Sequence, residues 1–141
     1  MSEALWSPSD EQIKSSKLYD FMGYVETRTG RKYSDYKGLW EWSCQNKDVF
    51  WDCVWDFCGV LGDKGGVIFD DNGGEMFGAQ FFPDSRLNYA ENLLEKYDSD
   101  NLSSVSMVFR DETGAEASMT RAELLGQVSR WQQAMKACGV G

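Results

Sequence analysis

Apolar residues in the first half of the chain recur at three- and four-residue spacings, the mark of helices with one buried stripe. Ser9 followed by Gln12 forms a capping-box start, and Ile13, Leu18, Phe21, Met22 and Val25 then carry a helical stripe as far as Gly30. Ser16 can cap a second helix, so the pattern predicts a break near Ser15 and Ser16. A further helix opens at Ser34 and Asp35, runs through Tyr36, Leu39, Trp40 and Ser43, and ends near Gln45 and Asn46, where Asn46 can start the next. The most strongly patterned segment is 48–58. There Phe50, Val54, Phe57 and Leu61 stack beside Trp51, Trp55 and Cys58, with Asp48, Asp52 and Asp56 on the opposite side. Trp55 is therefore expected on the buried face.

From Gly59 the pattern changes. Glycines and acids cluster at 62–66 and again at 70–74, which predicts turns around a short strand at 67–69. Residues 77–82 read as extended and are stopped by Pro83. Leu87 to Leu94 has helical periodicity reaching about Tyr97, and a polar loop follows at 98–101. The last third predicts two strands and a helix. Residues 104–110 and 115–119 flank the turn Glu112-Thr113-Gly114, and Thr120 with Glu123 forms a capping box. The helix after it carries Leu124, Leu125, Val128, Trp131, Met135 and Cys138 and stops at Gly139. A chain that ends directly after a helix opening a new unit reads as cut.

Composition narrows the chemistry. The 141 residues suffice for one modest domain, and 42% hydrophobic content with only 2 prolines speaks for a folded chain. There are no histidines, which removes Ser-His-Asp and Cys-His catalysis and the commonest zinc ligand. A formal charge of -9 leaves no footprint for nucleic acid. The one basic knot, Arg28, Arg31 and Lys32, reads as a helix exit where cations complement the dipole. Cys44, Cys53, Cys58 and Cys138 form no C-x-x-C pair, so they are expected as reduced, mostly buried thiols. With no signal peptide or membrane span in the N-terminal pattern, the cytoplasm is the expected compartment.

Two cation-site patterns fail on chemistry. Asp48, Asp52 and Asp56 repeat at four-residue spacing, yet they are like charges without loop ligands and read as a solvated face. Asp70 and Asn72 before a glycine imitate a calcium loop, but Glu75 and Phe81 stand where that loop needs Gly and Glu.

The string Phe81-Phe82-Pro83-Asp84-Ser85-Arg86-Leu87-Asn88-Tyr89-Ala90-Glu91-Asn92-Leu93-Leu94 resembles the Trp-Phe-Pro-Gly-x-x-Leu-Asn-Tyr-Ala-Glu-Asn-Leu-Leu signature of acetoacetate-CoA ligases (acetoacetyl-CoA synthetases). Leu5-Trp6-x-Pro8-Ser9, Asp35-Tyr36-x-x-Leu39-Trp40-x-Trp42-Ser43 and Phe50-Trp51-x-x-Val54-Trp55-Asp56-Phe57 are similar to flanking parts of that family. The stretch from Met119 to Val140 is similar to the hairpin and helix that open the large domain of adenylate-forming enzymes. Phe81 and Asp84 depart from the usual Trp and Gly.

The resemblance implies an α+β fold: a mainly helical N-terminal cap over 1–97, then the hairpin and helix of an incomplete AMP-binding domain over 98–141. It implies a parent that joins acetoacetate to CoA through an acyl-adenylate, using ATP and Mg²⁺. In that family a Gly/Ser/Thr-rich loop cradles phosphates and a mobile lysine serves the first half-reaction, and both lie beyond Gly141. The segment by itself is therefore expected to hold no catalytic, cofactor-binding or metal residue, and its partner to be the remainder of its own large domain. Arg86, Asn88, Glu91 and Asn92 are read as helix-start and packing residues. Two alternatives remain open: a ligase for acetate, propionate or butyrate, and a self-standing interaction module.

Overall fold

The computed structural model describes residues 6–74, 77–94 and 101–140. By internal contacts it divides into two units, Met1–Asn88 and Tyr89–Gly141. The mixed helical and small-sheet architecture is the expected one. No helix among the described residues is long and apolar enough to cross a membrane.

Four helices make the body of the first unit: α1 (Asp10–Lys14), α2 (Lys17–Thr29), α3 (Tyr36–Gln45) and α4 (Lys47–Phe57). Each of the first three starts where a side chain can take up an orphan amide. Ser9 Oγ accepts from Gln12 N at 3.2 Å while Gln12 Oε1 accepts from Ser9 N at 2.8 Å, closing the capping box. Ser16 Oγ accepts from Tyr19 N at 3.2 Å, so the break between α1 and α2 falls where the sequence puts it. Asp35 Oδ1 accepts from Gly38 N at 2.8 Å. Gly30 ends α2 at φ 70°, a left-handed conformation that a side chain would disfavour. Between α3 and α4 the helical path is interrupted at a single residue, Asn46.

The core of this unit is Phe21 and Val25 from α2, Leu39 and Trp42 from α3, and Cys53 from α4. Rings extend it. Phe21 meets Phe57 at 5.1 Å and Phe50 at 5.8 Å, and Tyr33 meets Trp42 at 5.6 Å, in the edge-on and tilted arrangements that aromatic quadrupoles favour.

After α4 the chain crosses back on itself. Strand β1 (Phe69–Asp70) pairs antiparallel with β2 (Gln80–Phe81), a shorter ladder than the expected 67–69 and 77–82. Positive φ at Asn72 (50°) and Phe82 (49°) turns the backbone away from extension just outside the ladder, and Pro83 follows. Asp63 and Arg86 exchange both backbone hydrogen bonds, at 2.8 and 2.9 Å. Gly62 and Gly65 are required there. A Cβ on Gly62 would stand 2.7 Å from the Arg86 carbonyl oxygen, and one on Gly65 would stand 2.7 Å from Asp84 Cβ.

The second unit contains α5 (Tyr89–Leu94), the hairpin β3 (Val105–Arg110) and β4 (Glu116–Thr120), and α6 (Arg121–Ala137). The expected continuation of α5 to Tyr97 and most of the 98–101 loop lie outside the described residues. Register runs from Val105 opposite Thr120 to Arg110 opposite Glu116, with an irregularity between Val105 and Met107. Asp111 organises the turn: its Oδ1 accepts from Thr113 N at 2.9 Å, Ala115 N at 3.0 Å and Thr113 Oγ1 at 2.7 Å. Thr120 and Glu123 close the second capping box, and Gly139 stands just past α6 at φ 80°.

Candidate functional site

The acids of α4 lie on its open side, Asp48 and Asp56 exposed and Asp52 half-buried, but Asp52 and Asp56 are also paired with two cations of the same chain, which the sequence reading did not foresee. Arg28, in the last turn of α2, donates Nη2 to Asp52 and Nη1 to Asp56, the latter at 2.5 Å. Lys64, from the loop after α4, donates Nζ to Asp52 Oδ1 at 2.5 Å and to Asp56 Oδ1 at 2.6 Å. Tyr24 Oη accepts from Arg28 at 3.1 Å. Arg28 is thus more than a cation at a helix exit.

Protonation follows the geometry. The hydrogen bond from Lys64, joined by Arg28 and opposed by partial burial, holds the Asp56 carboxyl below the usual carboxylate range. Desolvation works to lower the Lys64 pKa, but its bonds to Asp52 and Asp56 outweigh it and the net shift is upward. Arg28 is raised as well, by its bonds to Tyr24 and Asp56. Lys64 and Asp52 are only 21% and 23% exposed at the side chain, whereas Lys17 and Asp20 on α2 stand at 90% and 49%. A pair as exposed as the latter contributes about 0–1 kcal/mol; a four-membered, half-sheltered network is the kind that contributes more.

A second cation was not singled out in the sequence. Arg121, the first residue of α6, is 7% exposed, and its Nη2 donates to the carbonyl oxygens of Leu93, at 3.3 Å, and Leu94 at the end of α5. Placing a guanidinium on those carbonyls satisfies acceptors that a helix end leaves open and sets a cation at the negative pole. It borders a cavity of about 690 Å³ that Leu93, Ser106, Met107, Leu124 and Val128 also line.

The remaining highlighted residues are placed as follows. Arg86 is exposed and is bonded through its backbone to Asp63. Asn88 directly precedes α5, Glu91 lies in its first turn, and Asn92 is half-buried. Asp70 Oδ1 accepts from Asn72 N at 2.9 Å in a tight turn. Cys53 is fully buried, and burial pushes its thiol pKa up. Cys44, Cys58 and Cys138 are exposed, so the expectation of mostly buried thiols is corrected; all four are free. Each exposed cysteine lies near a helix end, where the apolar stripe has run out.

Neither Thr-Gly pair cradles phosphate. Thr29 Oγ1 donates to Val25 O at 2.8 Å and Gly30 closes α2. At Thr113-Gly114 the Asp111 carboxylate already occupies the amides of Thr113 and Ala115, placing negative charge where a phosphate would need donors. Among the described residues no group of three or more metal-ligating side chains is arranged to hold an ion.

Apolar surface is plentiful. In the second unit Val105, Met107, Val108 and Phe109 on β3 and Trp131 and Met135 on α6 are each more than half exposed, Trp131 by 66%. A hairpin and one helix cannot cover both faces of two strands. Patches of this kind mark surfaces that another polypeptide covers.

No family model matches the chain. Among known proteins it is similar to acetoacetyl-coenzyme A synthetase of Rhizobium meliloti (strain 1021), 39% identical over 137 residues, or 97% of this chain and 20% of that protein. It is 29% identical over 140 residues to acetoacetyl-CoA synthetase of Xenopus tropicalis, covering 99% of this chain and 20% of that one. It is also 30% identical over 138 residues to malonamoyl-CoA synthetase vrtB of Penicillium aethiopicum, covering 96% and 19%. A solved structure, acetoacetyl-CoA synthetase from Streptomyces lividans, superposes with a TM-score of 0.78 at 28% identity, over 99% of this chain and 21% of that one. The chain spans about a fifth of the length of the relatives it matches.

Proposed function

The chain belongs to the acetoacetyl-CoA synthetase family, whose N-terminal region it matches, and from that premise we propose that it serves as the N-terminal part of an ATP-dependent acetoacetate-CoA ligase. The parent reaction in this reading converts acetoacetate, ATP and CoA to acetoacetyl-CoA, AMP and pyrophosphate, in the cytoplasm. The observation that carries the proposal is the end-to-end match: 97% of the chain aligns at 39% identity with one such enzyme, and 99% superposes on another.

In this reading the segment contributes architecture. The helical unit supplies a cap, and the hairpin and α6 supply surface on which the remainder of the large domain packs. One observation supports that division. The apolar side chains of β3 and α6 are uncovered, and the partner proposed for them is the rest of the ligase. ATP, Mg²⁺ and CoA belong to that remainder.

A different acid is the second reading, and the malonamoyl-CoA synthetase relative is what favours it. That relative is 30% identical, within the span of 29% to 39% given by the acetoacetyl-CoA synthetases of Xenopus tropicalis and Rhizobium meliloti, and this reading leaves acid choice to the rest of the protein.

The purified 141-residue chain, given acetoacetate, MgATP and CoA, is expected to release no pyrophosphate. Release above a no-enzyme control would overturn the view that the segment carries no chemistry.

A further inference from the structure

Three observations converge on the described residues of 59–88. First, none of them belongs to the buried cluster of Phe21, Val25, Leu39, Trp42 and Cys53 or to the partly buried side chains packed against it, all of which come from α2, α3, α4 and Tyr33. Second, they are tied to one another: β1 to β2, Phe82 N to Ile68 O at 2.9 Å, and Asp63 to Arg86 through both backbone bonds, with Gly62 and Gly65 letting the two limbs touch. Third, their attachment to α4 is narrow. Among the described residues it includes the Lys64 bridge to Asp52 and Asp56, the rings of Phe82 on Trp55 at 4.8 Å and Phe81 on Trp51 at 5.1 Å, Lys47 over the Phe69 ring at 5.2 Å, and, where the chain leaves the helix, backbone bonds from Gly59 N to Asp56 O and from Val60 N to Trp55 O.

We infer that 59–88 is a strap that opens from the helical layer as one unit, with Lys64 as its pin. A segment knitted internally but joined to its neighbour by one charge cluster and a row of ring edges has the structure of a separate opening unit, lower in stability than the core beneath it. Lys64 is the decisive contact because it bridges two of the three carboxylates of α4, so losing it severs two ties at once and leaves Asp52 and Asp56 to Arg28. The ring contacts then act as a hinge line along α4. The strap carries residues 81–88, the first half of the segment that resembles the ligase signature.

Native-state hydrogen exchange on the full 141-residue chain reads this directly. The amides of Asp63, Phe82 and Arg86 report the strap, since each is bonded to a strap carbonyl, and those of Val25 and Trp42 report the helices. In Lys64→Met the three strap amides are expected to exchange about tenfold faster or more, together, with the helix amides unchanged. Asp56→Asn, which weakens the same tie from the helix side, is expected to accelerate the same three. The inference is overturned by strap protection unchanged in Lys64→Met, by equal acceleration of strap and helices, or by outright unfolding of the variant, which would make strap and core one unit. It is equally overturned if Asp56→Asn leaves the strap amides at the wild-type rate.

Discussion

Trp55 shows how a single residue can be read correctly for an incomplete reason. Its place on the apolar side of α4 is visible in the sequence, and it is 8% exposed in the fold. What covers it is Phe82, held at φ 49° before Pro83, and no spacing along α4 specifies that partner. Trp55→Ala is expected to lower the unfolding free energy by about 3–5 kcal/mol, read from urea midpoints at constant m. A loss below about 1 kcal/mol would mean that the ring is not covered. Asp56 carries the second residue-scale expectation. Because its folded pKa lies below its unfolded value, its contribution is complete above about pH 4 and is lost as pH falls through the folded value. Lys64 and Arg28 are shifted upward, so their share persists across neutral pH and fades only on the far alkaline side. Stability should thus be flat around neutrality and decline in acid. Asp56→Asn should lower the neutral plateau and flatten that decline, and an unaltered acid limb in the urea midpoints would count against the cluster.

Elements were legible in proportion to how local their causes are. Ser9, Ser16, Asp35 and Thr120 announce helix starts because a cap and its amide are three residues apart, and these four caps form; Asn46 also stands at a helix start, but its side chain makes no cap bond. The break at Ser15 and Ser16 and the hairpin around Asp111 follow from equally short-range chemistry. The strands of the first unit are shorter than their apolar pattern because positive φ at Gly78 and Phe82 interrupts the second limb on either side of β2 and leaves the ladder two pairs. The charge cluster was illegible for a related reason. Lys64 lies 8 and 12 positions from its acids and Arg28 lies 24 and 28 away, separations fixed only when α2, α4 and the following loop come together. Arg121 at the end of α5 is the same case, 27 and 28 positions from its acceptors. A cap, by contrast, can be tested alone. Thr120→Ala removes the hydroxyl that accepts from Glu123 N and is expected to cost about 0.5–2 kcal/mol, read as a lower urea midpoint. No change would mean that α6 is set by packing and not by its cap.

At the scale of the molecule, described aromatic side chains are put to two different uses. Phe21, Trp42, Phe50 and Phe57 build the helical core, whereas Phe109 and Trp131 of the second unit remain open to solvent. The sequence pattern marks which positions are apolar but not which of them this chain covers by itself. The proposed reading assigns the open ones to the remainder of a ligase, of whose relatives this chain spans about a fifth. The claim that these residues are the N-terminal part of such an enzyme is tested most directly by a chimaera. The 141 residues replace the matching fifth of the Rhizobium meliloti acetoacetyl-CoA synthetase, and acetoacetyl-CoA formation is measured against that enzyme intact and with the same fifth deleted. The account predicts activity in the chimaera and none in the deletion. A folded chimaera as inactive as the deletion would contradict it.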